Sequence, residues 1–228
     1  MRNSTKDAIG GIGLIVLVVG AFALMLHDGP KPSSVDIYKA NVVKLSAMGG
    51  HGTGVYISPT HILTACHVVN AADAFVVTRL VGEVEARAVP IDQCNVDFDI
   101  GLLKVATPNE DFIPIEVGTS YLGQKVHSGG WGRGFFSFKQ AFASLLHSDD
   151  TGNLRWLTSF TVNPGDSGSP VFNDDNELVG ILSASRAYQS IAPYGGVVID
   201  TFPNASLTSP SQNIKTFLKK WRASRGTS

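Results

Sequence analysis

The chain of 228 residues carries 18 Lys+Arg against 19 Asp+Glu, a formal net charge of −1. That balance excludes a protein that grips nucleic acid through an excess of basic residues. Two cysteines exclude a disulfide-dense scaffold, and 24 glycines with 11 prolines suit short strands joined by tight turns.

The first stretch reads as an address. Ala8 to Leu26 holds no charged residue, and as a helix it would span roughly 28 Å, about the thickness of a bilayer's hydrocarbon core. Arg2 and Lys6 precede it, which keeps the N-terminus in the cytoplasm and sends the rest across. Residues 1–27 are therefore expected to be a signal anchor. The protein would be single-pass, meeting the membrane only through this N-terminal helix. Ala21-Phe22-Ala23 also offers a small-x-small cleavage pattern, so secretion after signal cleavage is the alternative. The apolar run continues through Leu24, Met25 and Leu26, which favours the anchor. Residues 28–37 follow as a polar tether.

A first strand series occupies 38–105. Its segments are 41–47, 54–57, 61–66, 74–80, 83–88 and 100–105, short and rich in β-branched residues. Residues 106–117 hold two prolines and several acids and read as a linker. A second series fills 118–209, with strands expected over 124–127, 135–146, 154–160, 170–172, 178–183 and 196–200. The end of the chain, 210–223, is a helix. Ile214, Phe217, Leu218 and Trp221 form one apolar stripe, and Lys215, Lys219 and Lys220 lie off it. Cys66 and Cys94 are either one bridge or two buried thiols; spacing does not decide between them.

Acyl transfer to a serine needs a base for the hydroxyl, a partner that holds the base's tautomer, and donors for the oxyanion. Asn163 to Pro170 (NPGDSGSP) holds the nucleophile candidate, Ser167. Its flanking glycines permit a tight turn that aims the Gly165 and Ser167 amides at one point, an oxyanion hole. His67, at the end of the apolar run Leu63-Thr64-Ala65-Cys66, is the base candidate. The orienting acid lies in Asp97-Phe98-Asp99-Ile100-Gly101-Leu102-Leu103. Asp99 directly precedes a strand and is preferred, with Asp97 as the substitute.

These segments, in the order His, Asp, Ser, resemble those of chymotrypsin-like (trypsin-like) serine proteases, of the bacterial or viral trypsin-like type. Gly52-Thr53-Gly54-Val55-Tyr56-Ile57, Gly130-Trp131-Gly132 and Gly180-Ile181-Leu182-Ser183 add to the resemblance. It implies an all-β fold of two antiparallel Greek-key β-barrels (38–105 and 118–209), the C-terminal helix, and a triad of His67, Asp99 and Ser167 in the cleft between barrels. It implies a protein or peptide substrate and a serine endopeptidase's activity, with no cofactor and no metal. It also implies that Ser183, Ala184 and Ser185 pair with the substrate backbone. Thr161 would lie at the base of the pocket for the residue before the cleaved bond, lined by Val162, Ser185 and Gly196. None of these is charged, so an uncharged residue is expected there.

The chain departs from the digestive members in lacking an Ile-Val-Gly-Gly activation sequence, so Asp166 is not expected to receive a freed N-terminus. Its cysteine precedes the His, so a bridge copied from those enzymes is not expected. Two other functions compete. An α/β-hydrolase would need Gly-x-Ser-x-Gly and the order Ser, Asp, His, and neither is present. A non-catalytic peptide-binding module on the same fold is the remaining alternative. Asn204-Ala205-Ser206 fits an N-glycosylation acceptor, a short pattern that arises often by chance.

Overall fold

The computed structural model describes residues 31–80, 86–91, 94–148, 154–184, 188–191, 197–200 and 206–224. The apolar run 8–26, Ser185, Gly196 and the Asn204 acceptor lie outside the described residues. Among the described residues no helix is long and apolar enough to cross a membrane.

Strands β1 (Val42–Ala47), β2 (Gly50–Ser58), β3 (His61–Thr64), β4 (Phe75–Arg79), β5 (Ala86–Pro90) and β6 (Gly101–Val105) close into one antiparallel barrel in the order β1-β2-β3-β6-β5-β4. A helical turn, α2 (Cys66–Val69), follows β3. A second barrel closes in the order β10-β11-β14-β9-β8-β7. Its strands are β7 (Lys125–Gly130), β8 (Ser137–Ser148), β9 (Leu154–Thr158), β10 (Pro170–Asn173), β11 (Leu178–Ala184) and β14 (Ser206–Pro210). Strands β12 (Tyr188–Ile191) and β13 (Val197–Asp200) pair as a separate ribbon.

Several of these strands are buried on both faces, which explains their continuous apolar runs. In β6, Leu103 and Val105 fill the first barrel while Leu102 points into a cluster shared with the second. In β10, Val171 fills the second barrel and Phe172 joins the shared cluster. Each such side chain adds about 1.5–3 kcal/mol when fully buried. The shared cluster takes Val55, Leu63 and Ile100 from one barrel and Leu178 and Ile181 from the other, so it fixes one barrel against its neighbour. Helix α3 (Ser211–Ala223) seals this cluster with Ile214, Phe217 and Leu218, the stripe expected from spacing, while Lys215, Lys219 and Lys220 face solvent.

One local expectation is corrected. The tether expected through residue 37 ends earlier: Ser34–Asn41 forms helix α1. Ile37 and Tyr38 are buried in the shared cluster, and Tyr38 Oη donates to His127 Nδ1 at 2.9 Å. Packing of two apolar residues overrides an otherwise polar sequence. His127 Nε2–H donates in turn to the Asn173 carbonyl at 3.0 Å. Burial pulls the His127 pKa below its ordinary value, the Asn173 bond offsetting this in part, and burial pushes Tyr38 well above its own. Strand β14 adds to the expected strands rather than correcting one. Its Ser206, Thr208 and Ser209 are buried polar residues, so no apolar alternation announces the strand.

Candidate active site

His67 sits on α2, one turn beyond the end of β3. Cys66, beside it, is disulfide-bonded to Cys94, with Cα atoms 5.3 Å apart. The question that spacing left open is thereby answered, and the bridge ties α2 to the chain leading into Asp99. A four-residue helix leaves its first amides without internal partners. Asp99 supplies one: His67 N–H donates to Oδ1 at 3.0 Å. The same carboxylate faces the ring, with Nδ1 at 2.9 Å from Oδ2 and 3.1 Å from Oδ1. A carboxylate only accepts, so Nδ1 carries a proton, and in the neutral ring the lone pair is on Nε2. Of the two acid candidates it is Asp99 that the fold brings to His67; the Asp97 side chain is exposed.

Asp99 adopts φ = 51°, in the left-handed region. Asp tolerates that region better than most residues, yet such a conformation costs about 1–3 kcal/mol and persists only when its surroundings impose it. The turn is closed from within by Asn95. Its N–H donates to the Ile100 carbonyl at 2.8 Å, its carbonyl accepts from Ile100 at 3.1 Å, and its Oδ1 accepts from Phe98 N–H at 2.7 Å. Ser183 Oγ–H donates to Asp99 Oδ2 from the second barrel. Ser183 lies where the β11–β14 register shifts, which turns its side chain toward the acid. Burial alone would push the Asp99 carboxyl up. Hydrogen bonds from His67 and Ser183, with the His67 charge, outweigh it and hold the pKa at about 2.

Ser167 lies on the turn between β9 and β10, half-buried. Gly165 and Gly168 take φ of 100° and 85°, open to glycine at no steric cost. A Cβ on Gly168 would strike the Thr53 carbonyl and Thr64 Oγ1; one on Gly165 would strike the His51 ring and the Trp131 carbonyl. The turn is pinned by Asp166 N–H to the Asn163 carbonyl and Ser169 N–H to the Asp166 carbonyl, both 3.0 Å.

Spacing gave no notice of two of its partners. Thr53, on β2, donates its N–H to the Ser167 carbonyl at 2.8 Å and its hydroxyl to the Gly165 carbonyl at 2.8 Å. The same hydroxyl accepts from Trp131 N–H at 3.0 Å. Lys139, on β8, pairs with Asp166 between the two amides in question. The Asp166 side chain is 1% exposed and that of Lys139 15%. The cation on Asp166 thus comes from inside the fold.

Ser167 and His67 line one cavity of about 350 Å³, with Ala47, Met48, Val68 and Phe75 among its walls. His51 forms another wall, its Nε2–H donating to the Trp131 carbonyl at 2.9 Å. Of the other expected substrate contacts, Thr161 is exposed, and Val162 is half-buried against the second barrel's core. Ala184 ends β11.

Residues 52–181 match the trypsin-like peptidase domain family, more than half of the chain. The chain belongs to the trypsin-like peptidases. Among curated proteins this trypsin-like peptidase is 28% identical over 171 residues to the chloroplastic Protease Do-like 1 of Arabidopsis thaliana, covering 65% of this chain and 36% of that protein. It is 34% identical over 142 residues to a probable periplasmic DegP-like serine endoprotease of Pseudomonas fulva, covering 58% and 28%. The chain therefore spans about a third of the length of these relatives. In fold it is similar to the Rv3671c protease of M. tuberculosis in its inactive form, with a TM-score of 0.63 at 19% identity, covering 85% of this chain and 97% of that one. A serine endoprotease from Yersinia pestis gives a TM-score of 0.63 at 21% identity, over 83% and 66%.

Proposed function

We propose that this trypsin-like peptidase is a serine endopeptidase. The observation that carries the reading is the His67–Asp99 pair, whose ring faces the cavity that Ser167 also lines. Asp99 fixes the tautomer, so His67 Nε2 takes the Ser167 proton as Oγ attacks the carbonyl carbon. The Gly165 and Ser167 amides receive the oxyanion. His67 then passes the proton to the leaving amine, and a water activated by the same ring hydrolyses the acyl-enzyme. The neutral tautomer and the imidazolium both keep the Asp99 hydrogen bond, so the cycle needs no rearrangement of the acid.

On the substrate side, uncharged Thr161 and Val162 support an uncharged residue before the cleaved bond. Ser183 and Ala184 remain the proposed backbone-pairing edge, Ser183 through its main chain, because its hydroxyl is committed to Asp99. The apolar walls of the 350 Å³ cavity suit an apolar residue after the bond. The domain reading is a first barrel to 105, a linker 106–117, a second barrel 118–209 and the helix 210–223. The disulfide and the relative named as periplasmic support a location outside the cytoplasm, either on an N-terminal anchor or after signal cleavage.

The full chain treated with a fluorophosphonate should be labelled at Ser167, and Ser167→Ala should remove both labelling and cleavage of a peptide library. A folded chain that takes no label would instead favour the peptide-binding module. Preferential cleavage after Lys or Arg would overturn the specificity.

A further inference from the structure

Arg155 belongs to β9 of the second barrel, yet its guanidinium reaches the first. Nη1–H donates to the Phe98 carbonyl at 2.5 Å and Nη2–H to the Asp97 carbonyl. Nη1 also lies 3.4 Å from Ser209 Oγ on β14, within its own barrel. The residue is 7% exposed, so its charge is held among protein dipoles. The two carbonyls belong to consecutive peptides, the ones immediately before Asp99. Carbonyl dipoles that converge on one point repel each other. A planar cation with donors set in a fork turns that repulsion into attraction, and it does so in one orientation only.

The peptides so held lead into the left-handed residue whose carboxylate serves His67. Asn95 Oδ1 and the Val96 carbonyl hold the N–H ends of these two peptides within the first barrel, accepting from Phe98 and Asp99 at 2.7 and 3.2 Å. Arg155 holds their carbonyl ends from across the seam, so each peptide plane is fixed from both sides.

Resting on the triad reading above, we infer that Arg155 is a positioning residue for catalysis: its guanidinium fork, supplied by the second barrel, orients the Asp97–Asp99 turn so that the Asp99 carboxylate meets His67 Nδ1. It touches neither substrate nor reacting atoms and acts only through Asp99.

The test uses the full chain with Arg155→Met and Arg155→Lys, each also in an Asp99→Asn background. Arg155→Met should lower kcat by about 10- to 100-fold with KM changed less than about threefold. Arg155→Lys, which reaches one carbonyl but lacks the fork, should recover part of the loss. The downfield proton resonance of the His67–Asp99 hydrogen bond should weaken or shift in Arg155→Met. With Asp99 already Asn, Arg155→Met should have no further effect on kcat, because a residue acting only through Asp99 has nothing left to orient. A core variant such as Ile214→Val, matched for lost stability, should leave kcat and the resonance unchanged.

The inference is overturned if the Arg155 variants lower the melting temperature but keep kcat and the resonance, or if their loss multiplies that of Asp99→Asn. Should Arg155→Met not fold, Arg155→Lys and its double variant decide by the same criteria. Failure of the triad reading is separable: the wild-type chain would then take no fluorophosphonate, whereas failure of this inference leaves wild type and Arg155→Met labelled at equal rates.

Discussion

Replacing Lys139 with Met removes the cation from a carboxylate that is 1% exposed. Breaking a buried pair from one side costs about 3–5 kcal/mol. Lys139 retains 15% exposure, and Asp166 Oδ2 keeps a 2.8 Å bond from Asn163 N–H, so the lower end applies, about 3 kcal/mol. For a domain of this size that lowers the melting temperature by roughly 6–12 °C. The same carboxylate lies between Gly165 and Ser167, whose amides are the proposed oxyanion donors. Removing one such donor costs about 10²–10³ in kcat, so a loosened turn should cost about 10². The assay is a thermal melt beside steady-state kinetics, for Lys139→Met, Asp166→Asn and the double variant. The double variant has no orphan charge, so it should melt closer to wild type than Lys139→Met does. Two results would refute the reasoning: wild-type stability and turnover in Lys139→Met, or a double variant whose losses are the simple sum of the singles.

Three further outcomes are expected. Asp99 is depressed from 3.8 to about 2, so its contribution of about 2 kcal/mol is present above pH 4 and is lost as pH falls through 2. The stability gap between wild type and Asp99→Asn, followed by denaturant melts, should close over that window, while Asp97→Asn should show no gap and near-normal turnover. Thr53→Val keeps the backbone bond to Ser167 but leaves Trp131 N–H and the Gly165 carbonyl without their partner. It should cost about 1–3 kcal/mol by urea titration and lower kcat more than it raises KM. Reducing Cys66–Cys94, which are separated by 28 positions, should cost about 3–4 kcal/mol on chain-entropy grounds, read as a lower melting temperature in dithiothreitol.

What was legible in the sequence followed from residues whose type announces their setting. The glycines around Ser167 mark a turn whether or not the fold is known, and two of them take the positive φ that only glycine accepts freely. The stripe on α3 marks a buried face because helical spacing is local. The continuous apolar runs of β3 and β6 marked strands, although their reason, burial on both faces, appeared only with the second barrel in place. Lys139 and Arg155 were illegible for the opposite reason. A lone cation in a strand looks the same whether it faces water or closes on a buried partner, and both partners here lie far away in sequence. Thr53 was visible only as part of a glycine-flanked motif. Its bonds to Ser167 and Gly165 cross 112 or more positions, and no local pattern encodes them. In β14, buried hydroxyls stand where apolar side chains would have signalled a strand.

Among the described residues the seam carries ties of one kind: Thr53 to Ser167 and Gly165, Ser183 to Asp99, and Arg155 to Phe98. Each joins a residue of one barrel to a candidate catalytic residue, or its immediate neighbour, in the other. Either barrel expressed alone would hold its own share of His67, Asp99 and Ser167 and lack the bonds that aim them. Mixing two separately folded halves should accordingly restore a working cleft only to the extent that they dock in register, which makes catalysis a direct gauge of how well the halves have found each other.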